Sequence, residues 1–142
     1  MNSPPKSLNW SVKQSNPSKE EGMAKILIID DDAETIKLLE SIVQLDGHQT
    51  KSVVESKKAV DAAETFLPDV ILLDIMMPEI NGIAICKLIK SSTKTDSAKV
   101  VMISALSDDG TKRDSFHAGA DQFVTKPILP KILSQQIRDL LA

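Results

Sequence analysis

Three carboxylates, one hydroxyl and one ammonium in this chain have the types and the placement for phosphoryl chemistry: Asp30, Asp31, Asp74, Ser104 and Lys126. Each follows a short apolar run: Ile26–Ile29 precedes Asp30, Val70–Leu73 precedes Asp74, Val100–Ile103 precedes Ser104, and 122–125 precedes Lys126. Carboxylates gathered on one rim repel unless a cation sits between them. A few rigid oxygen ligands suit Mg2+, which prefers six oxygens at about 2.0–2.1 Å and keeps some of its waters. A carboxylate beside Mg2+, an ammonium and a hydroxyl is placed to attack a phosphoryl group. The cations neutralise the equatorial oxygens, the hydroxyl donates to one of them, and the product is an aspartyl phosphate.

Each position also has a plainer reading. The third acid, Asp32, fits a helix N-cap. Asp74 would serve as a turn residue ahead of Pro78, and Lys126 as a solvated surface lysine. Ser104 alone carries little information. The argument for chemistry is that four such residues close four strands of one sheet. His48 and His117 stand apart from one another and read as surface or packing residues, so no histidine–cysteine metal cluster competes. Cys86 is the one cysteine. It can form no intramolecular disulfide and reads as a small buried hydrophobe.

The elements that must carry these residues follow from periodicity. Five apolar runs, 25–29, 49–54, 69–73, 99–103 and 122–125, read as buried strands. The first, third and fourth are continuous aliphatic runs, which implies cover on both faces, as in a parallel sheet flanked by helices. Helical spacing recurs between them. It appears over 33–45 (Ile36, Leu39, Ile42, Val43), at Ala59, Val60, Ala63 and Leu67, and over 82–91 (Ile85, Leu88, Ile89). The segment 108–118 is polar with Phe116 as its anchor, and 130–141 starts at Pro130 and carries Ile132, Leu133, Ile137, Leu140 and Leu141. Five βα units imply an α/β fold, a doubly wound open parallel sheet. Sites in such sheets lie at the carboxyl ends of the strands, where the acids, Ser104 and Lys126 are expected.

Composition narrows the classes. The chain has 142 residues, 42% hydrophobic and 26% charged, which suits one ordinary core. Aromatic residues are 3% and the net charge is −3, so neither a base-stacking platform nor a basic footprint for nucleic acid is expected. No apolar run reaches the ~18 residues of a membrane span or the pattern of a signal peptide, and a cytoplasmic protein is expected. Residues 1–22 hold Pro4, Pro5, Pro17 and five serines, and read as a flexible tail before a domain at 23–142. Trp10 could dock, and translation could begin at Met23. No G-x-G-x-x-G follows a strand, and the consecutive acids do not match a calcium loop.

The stretches Lys25–Asp32 (KILIIDDD), Asp69–Gly82 (DVILLDIMMPEING), Ser104-Ala105 and Ala118–Pro127 (AGADQFVTKP) resemble the receiver domain of bacterial response regulators. The likeness covers about residues 24–142. It implies a flavodoxin-like sheet of order 2-1-3-4-5 with five helices, an order that periodicity alone does not give. By position, the resemblance makes Asp74 the phosphoacceptor. Asp31 would bind Mg2+ directly and Asp30 through water, with Asp74 and the backbone carbonyl of Met76 as further ligands. Ser104 and Lys126 would contact the phosphoryl group. Pro127 matches a proline whose preceding bond is usually cis, orienting Lys126. Gly82 would permit the turn into the third helix. Phe123 stands at the family's switching aromatic, where it can pack but lacks a tyrosine's hydroxyl.

The resemblance implies a two-component or phosphorelay module, phosphorylated by a sensor histidine kinase or a histidine phosphotransfer protein. Phosphate on Asp74 would draw Ser104 towards it and change the α4-β5-α5 face. Paired copies of the phosphorylated chain are an option, and direct nucleic-acid or membrane binding is not expected. If the chain is the whole protein, its output is a protein contact, as in stand-alone receivers of chemotaxis type or of phosphorelay shuttling; a fragment of a larger regulator would look the same. Met76 and Leu106 are apolar where relatives can carry water-orienting polar residues, so a long-lived phosphoryl group is expected, not an enzyme of rapid turnover. Two other readings remain. A pseudo-receiver scaffold would lack the chemistry, and the intact acids argue against it. A haloacid-dehalogenase-type phosphatase would want an Asp at position 76.

Overall fold

The computed structural model describes residues 24–142, and the expectations for residues 1–22, for Trp10 and for a start at Met23 lie outside them. Five strands and five helices alternate: β1 (Lys25–Ile29), α1 (Ala33–Leu45), β2 (Gln49–Val53), α2 (Ala59–Phe66), β3 (Val70–Asp74), α3 (Gly82–Ser91), β4 (Lys99–Ser104), α4 (Asp109–His117), β5 (Gln122–Thr125) and α5 (Pro130–Leu141). A short 3-10 turn, Ser56–Lys58, leads into α2. The strands are all parallel, in the order β2-β1-β3-β4-β5. That is the expected 2-1-3-4-5 arrangement.

The continuous aliphatic runs divide between two faces because successive side chains on a strand point to opposite sides. Leu27, Ile29, Ile71, Leu73, Val100 and Met102 pack with Ala59 and Ala63 of α2 and with Ile85, Cys86 and Ile89 of α3. Ile26, Ile28, Val70, Leu72, Val101 and Ile103 pack with Ile36, Leu39, Ile42 and Val43 of α1 and with Leu133 and Ile137 of α5. Burying both faces holds the strand ends rigidly. That is the condition for a site whose side chains come from four different strands.

Several packing expectations differ from the structure. Only β1, β3 and β4 are buried strands. β2 and β5 are sheet edges with one neighbour each, and each buries a single residue, Val53 and Val124. Leu67 does not continue the α2 stripe; it ends that helix in the left-handed region (φ 52°) and is exposed. Phe116 is not the anchor of α4. It is 46% exposed, and the one residue of α4 that is buried is Ser115, whose hydroxyl donates to the Thr111 carbonyl. A helix this polar lies shallowly on the sheet, so its aromatic gains little by turning inward. Leu88 and Ile132 are also exposed, off the buried stripes of α3 and α5. No helix among the described residues is long and apolar enough to cross a membrane.

Candidate functional site

The carboxyl ends of β1, β3, β4 and β5 bring the predicted residues together. Asp30 follows β1 directly and is 1% exposed, Asp74 is the last residue of β3, and Ser104 is the last residue of β4. Lys126 follows β5 and is tied to β4 by its amide, which donates to the Ser104 carbonyl at 2.9 Å. Its Nζ stands 3.6 Å from Asp74 Oδ1 and 3.7 Å from Asp30 Oδ2. Carboxylate oxygens of Asp30, Asp31 and Asp74 lie within 4.8 Å of one another.

Local structure fixes each acid differently. Asp32 is the N-cap of α1: its side chain accepts from the Thr35 amide at 3.1 Å and the Thr35 hydroxyl at 2.6 Å, bonds that hold its pKa below the ordinary carboxylate value. The plainer reading of Asp32 is therefore the correct one, and it leaves Asp30 and Asp31 for the cluster. Asp30 Oδ1 accepts from the Asp32 amide at 2.9 Å, which orients its carboxylate. Asp30 Oδ2 is buried and has no hydrogen-bond partner among the described residues. Asp31 is exposed at the mouth of the cluster.

Burial is the largest influence on both inner acids. It pushes Asp74 up to about 6; the charge of Asp30 adds to the rise, while Lys126 and the Met76 amide oppose it. Burial also raises Asp30, against the Asp32 amide and Lys126. One lysine thus faces two buried carboxylates and an exposed third. The donor set is all oxygen, one donor oxygen is buried without a hydrogen bond, and the charge is in excess. Those features fit a hard divalent cation such as Mg2+, which Asp30, Asp31 and Asp74 could hold.

The remaining predicted residues surround this cluster. Ser104 is fully buried, and its hydroxyl oxygen accepts from the Leu106 amide at 3.0 Å. The Lys126–Pro127 bond is cis. Phe123, on β5, is partly buried against the core face that holds α2 and α3, with Lys112 Nζ 5.9 Å from its ring centroid. Gly82 begins α3, and a close approach of backbones is what calls for glycine there. It has no left-handed backbone; instead a side chain there would strike the Asp74 carbonyl oxygen, with the Ile75 Cα 2.8 Å away. Its amide donates to the Ile75 carbonyl at 2.8 Å, closing the β3–α3 loop at its base.

One residue near the site escaped the sequence reading. The buried Ser56 hydroxyl donates to the Pro78 carbonyl at 2.7 Å and accepts from the Ile80 amide at 3.2 Å. No spacing in a single sequence announces such a contact, since both partners are backbone atoms more than twenty positions away.

Residues 26–138 match the response regulator receiver domain model. The chain is 34% identical over 117 residues to the response regulator PleD of Caulobacter vibrioides, covering 82% of this chain and 26% of that one. It is 32% identical over 119 residues to the DNA-binding dual master transcriptional regulator RpaA of Synechocystis, covering 84% of this chain and 49% of that one. The BeF3-activated DrrB receiver domain superposes with a TM-score of 0.75 at 32% identity, covering 83% of this chain and 97% of that one. The chemotaxis protein CheY4 of Vibrio cholerae, at 21% identity, superposes with a TM-score of 0.78, covering 82% and 98% of the two chains, and shares the fold. The chain spans between about a quarter and a half of the length of the curated relatives it matches.

Proposed function

The chain belongs to the response regulator receiver domain family, and on that premise we propose that Asp74 accepts a phosphoryl group from a histidine kinase or a histidine phosphotransfer protein. A carboxylate oxygen of Asp74 forms the new bond to phosphorus. The bond from phosphorus to the donor histidine nitrogen breaks, and that nitrogen keeps the electron pair. The product is an aspartyl phosphate. Asp30, Asp31, Asp74 and the Met76 carbonyl would hold Mg2+, which would offset the charge of the acids and of the transferring group. Lys126, beside Asp74, would pair with the phosphoryl oxygens.

The observation that carries this reading is the position of Lys126 between Asp74 and Asp30, beside a buried carboxylate oxygen with no hydrogen-bond donor. A structural ion pair needs one acid per lysine; this site holds three. Ser104 is next to respond. Its hydroxyl oxygen accepts from the Leu106 amide, and its own proton remains to be donated to a phosphoryl oxygen. Moving towards that oxygen, Ser104 carries the Leu106 amide and the segment leading to α4 with it, and Phe123 and Lys112 follow. The signal is then a changed α4–β5–α5 surface, offered to a protein partner or to a second phosphorylated copy. The chemistry assigned to this domain is self-phosphorylation from phosphodonors and slow hydrolysis, in the cytoplasm.

The test is labelling by acetyl phosphate followed by intact mass. Addition of one phosphoryl group with Mg2+, none after chelation and none in Asp74→Asn, is the expected result. Beryllofluoride, which activates the DrrB receiver domain, is expected to bind the wild type and not Asp74→Asn. An unaltered mass with every donor would leave a binding scaffold as the reading.

A further inference from the structure

The β3–α3 loop, 75–81, carries the Met76 carbonyl, and it contains a residue in a costly conformation. Glu79 has φ 74°, the left-handed region that side chains other than glycine adopt at a penalty. The Ile80 amide donates back to the Pro78 carbonyl at 2.9 Å, so Pro78-Glu79-Ile80 closes as a three-residue γ-turn. Such a turn needs support from outside itself. Ser56 supplies it: one buried hydroxyl grips both ends of the turn, the Pro78 carbonyl and the Ile80 amide. The Lys57–Glu79 ion pair, at 3.7 Å, is exposed on both sides and adds little.

We propose that Ser56 is a positioning residue for cation binding: its hydroxyl holds the Glu79 turn closed and so keeps the Met76 carbonyl, three residues upstream, in register with Asp74. This rests on the reading of the acidic cluster as an Mg2+ site. Coupling to the metal runs along a short span of backbone. Gly82 ties the base of the loop to Ile75, and Ser56 ties its tip to the end of the β2–α2 connection. Residues 76 and 77 lie between the two ties. If the tip relaxes, the carbonyl at 76 gains freedom that binding the cation must remove.

The test is a double-mutant cycle on Mg2+ affinity, read by calorimetry, with exchange of the Ile80 amide as a metal-free readout. Ser56→Ala is expected to weaken Mg2+ binding by about tenfold, the usual size for an outer-shell partner, and to speed exchange at Ile80. Glycine adopts the left-handed region without penalty. Adding Glu79→Gly to Ser56→Ala should therefore restore most of the affinity, while Glu79→Gly alone changes it little. A hydroxyl that matters only for general stability would not be rescued by a glycine at 79. Unchanged Mg2+ affinity in Ser56→Ala overturns the proposal, as does a weakened affinity that Glu79→Gly does not recover. Wild-type protein that binds no Mg2+ overturns the cation reading itself, and is told apart because no variant is needed to see it.

Discussion

Lys126 Nζ lies 3.6 Å from Asp74 Oδ1, in a pocket where burial and the charge of Asp30 push that carboxyl up to about 6 and Lys126 opposes the rise. Removing the ammonium as Lys126→Met removes the opposition. The Asp74 carboxyl is expected to titrate above its wild-type value, followed by carbon NMR of the side chain. Labelling by acetyl phosphate should fall by roughly 10²-fold, the scale of losing one preorganised charge at a transferring group. Mg2+ binding should survive, because all the carboxylate ligands remain. A variant that labels at the wild-type rate would remove Lys126 from the chemistry.

Asp74→Asn should stabilise the metal-free protein at neutral pH. The folded-state pKa of Asp74 is raised, from 3.8 to about 6, so its ionisation opposes folding. The stability associated with the protonated form is complete below about 4 and is lost as pH rises through about 6. Asp30 is shifted in the same direction. Acidifying the metal-free wild type from pH 7 to pH 5 should therefore raise its Tm through these groups. Asp74→Asn should show a smaller rise, and at pH 7 it should be more stable than wild type by on the order of 1–3 kcal/mol. Mg2+ should raise the Tm of the wild type at pH 7 and that of the variant much less. Thermal scans at the two pH values, with and without Mg2+, decide it.

The fold and the cluster were legible for one reason, which also explains what was not. Continuous aliphatic runs at 25–29, 69–73 and 99–103 require two covered faces, and that requirement places Asp30, Asp74 and Ser104 at one rim before any pairing is known. The edges carried no such signal. The run 49–54 reads as a buried strand, but β2 is mostly polar, buries Val53 alone and leaves Val54 beyond its end exposed. Phe116 misled because an aromatic in a polar helix looks like an anchor, whereas α4 is capped by Asp108 and buries Ser115 alone. Gly82 was legible as necessary for the turn into α3, but the contact that makes it so was not, since a close approach of two backbones leaves no mark on the glycine's own spacing. Ser56 left no mark at all.

The phosphoryl group on Asp74 should be long-lived. Met76 and Leu106 flank the site at the second positions after Asp74 and Ser104, and both side chains are exposed, 58% and 44%. Neither carries an atom that can orient or deprotonate an attacking water. The label should persist for minutes or longer with Mg2+ present, on the order of the uncatalysed decay of an acyl phosphate. Met76→Asn or Leu106→Glu should shorten the lifetime by roughly tenfold, less than the ~10²–10⁴-fold of a fully positioned general base. Decay of wild-type label within seconds, measured by a chase after removing the donor, would mean that another group activates water.

Gly82→Ala sets helix propensity against the site. Within a helix, replacing glycine by alanine ordinarily stabilises by about 0.5–1 kcal/mol, because the unfolded chain loses freedom and the helix does not. Gly110, at the start of α4, is the milder case: a methyl there meets no backbone, only the Asp108 cap carboxylate at 3.2 Å and the far end of Arg113 at 3.6 Å. Gly82 opens α3 and should reverse the sign. Its methyl would strike the backbone of Asp74 and Ile75, which cannot give without displacing the end of β3. Overpacking against rigid backbone costs roughly 1–3 kcal/mol. Here the displaced atoms include the residue proposed as acceptor. Gly82→Ala should therefore lower both the Tm and the labelling rate, while Gly110→Ala leaves labelling within about twofold and lowers the Tm less than Gly82→Ala does. Equal behaviour of the two variants would show that the contact between Gly82 and the Asp74 carbonyl does not hold the acceptor in place.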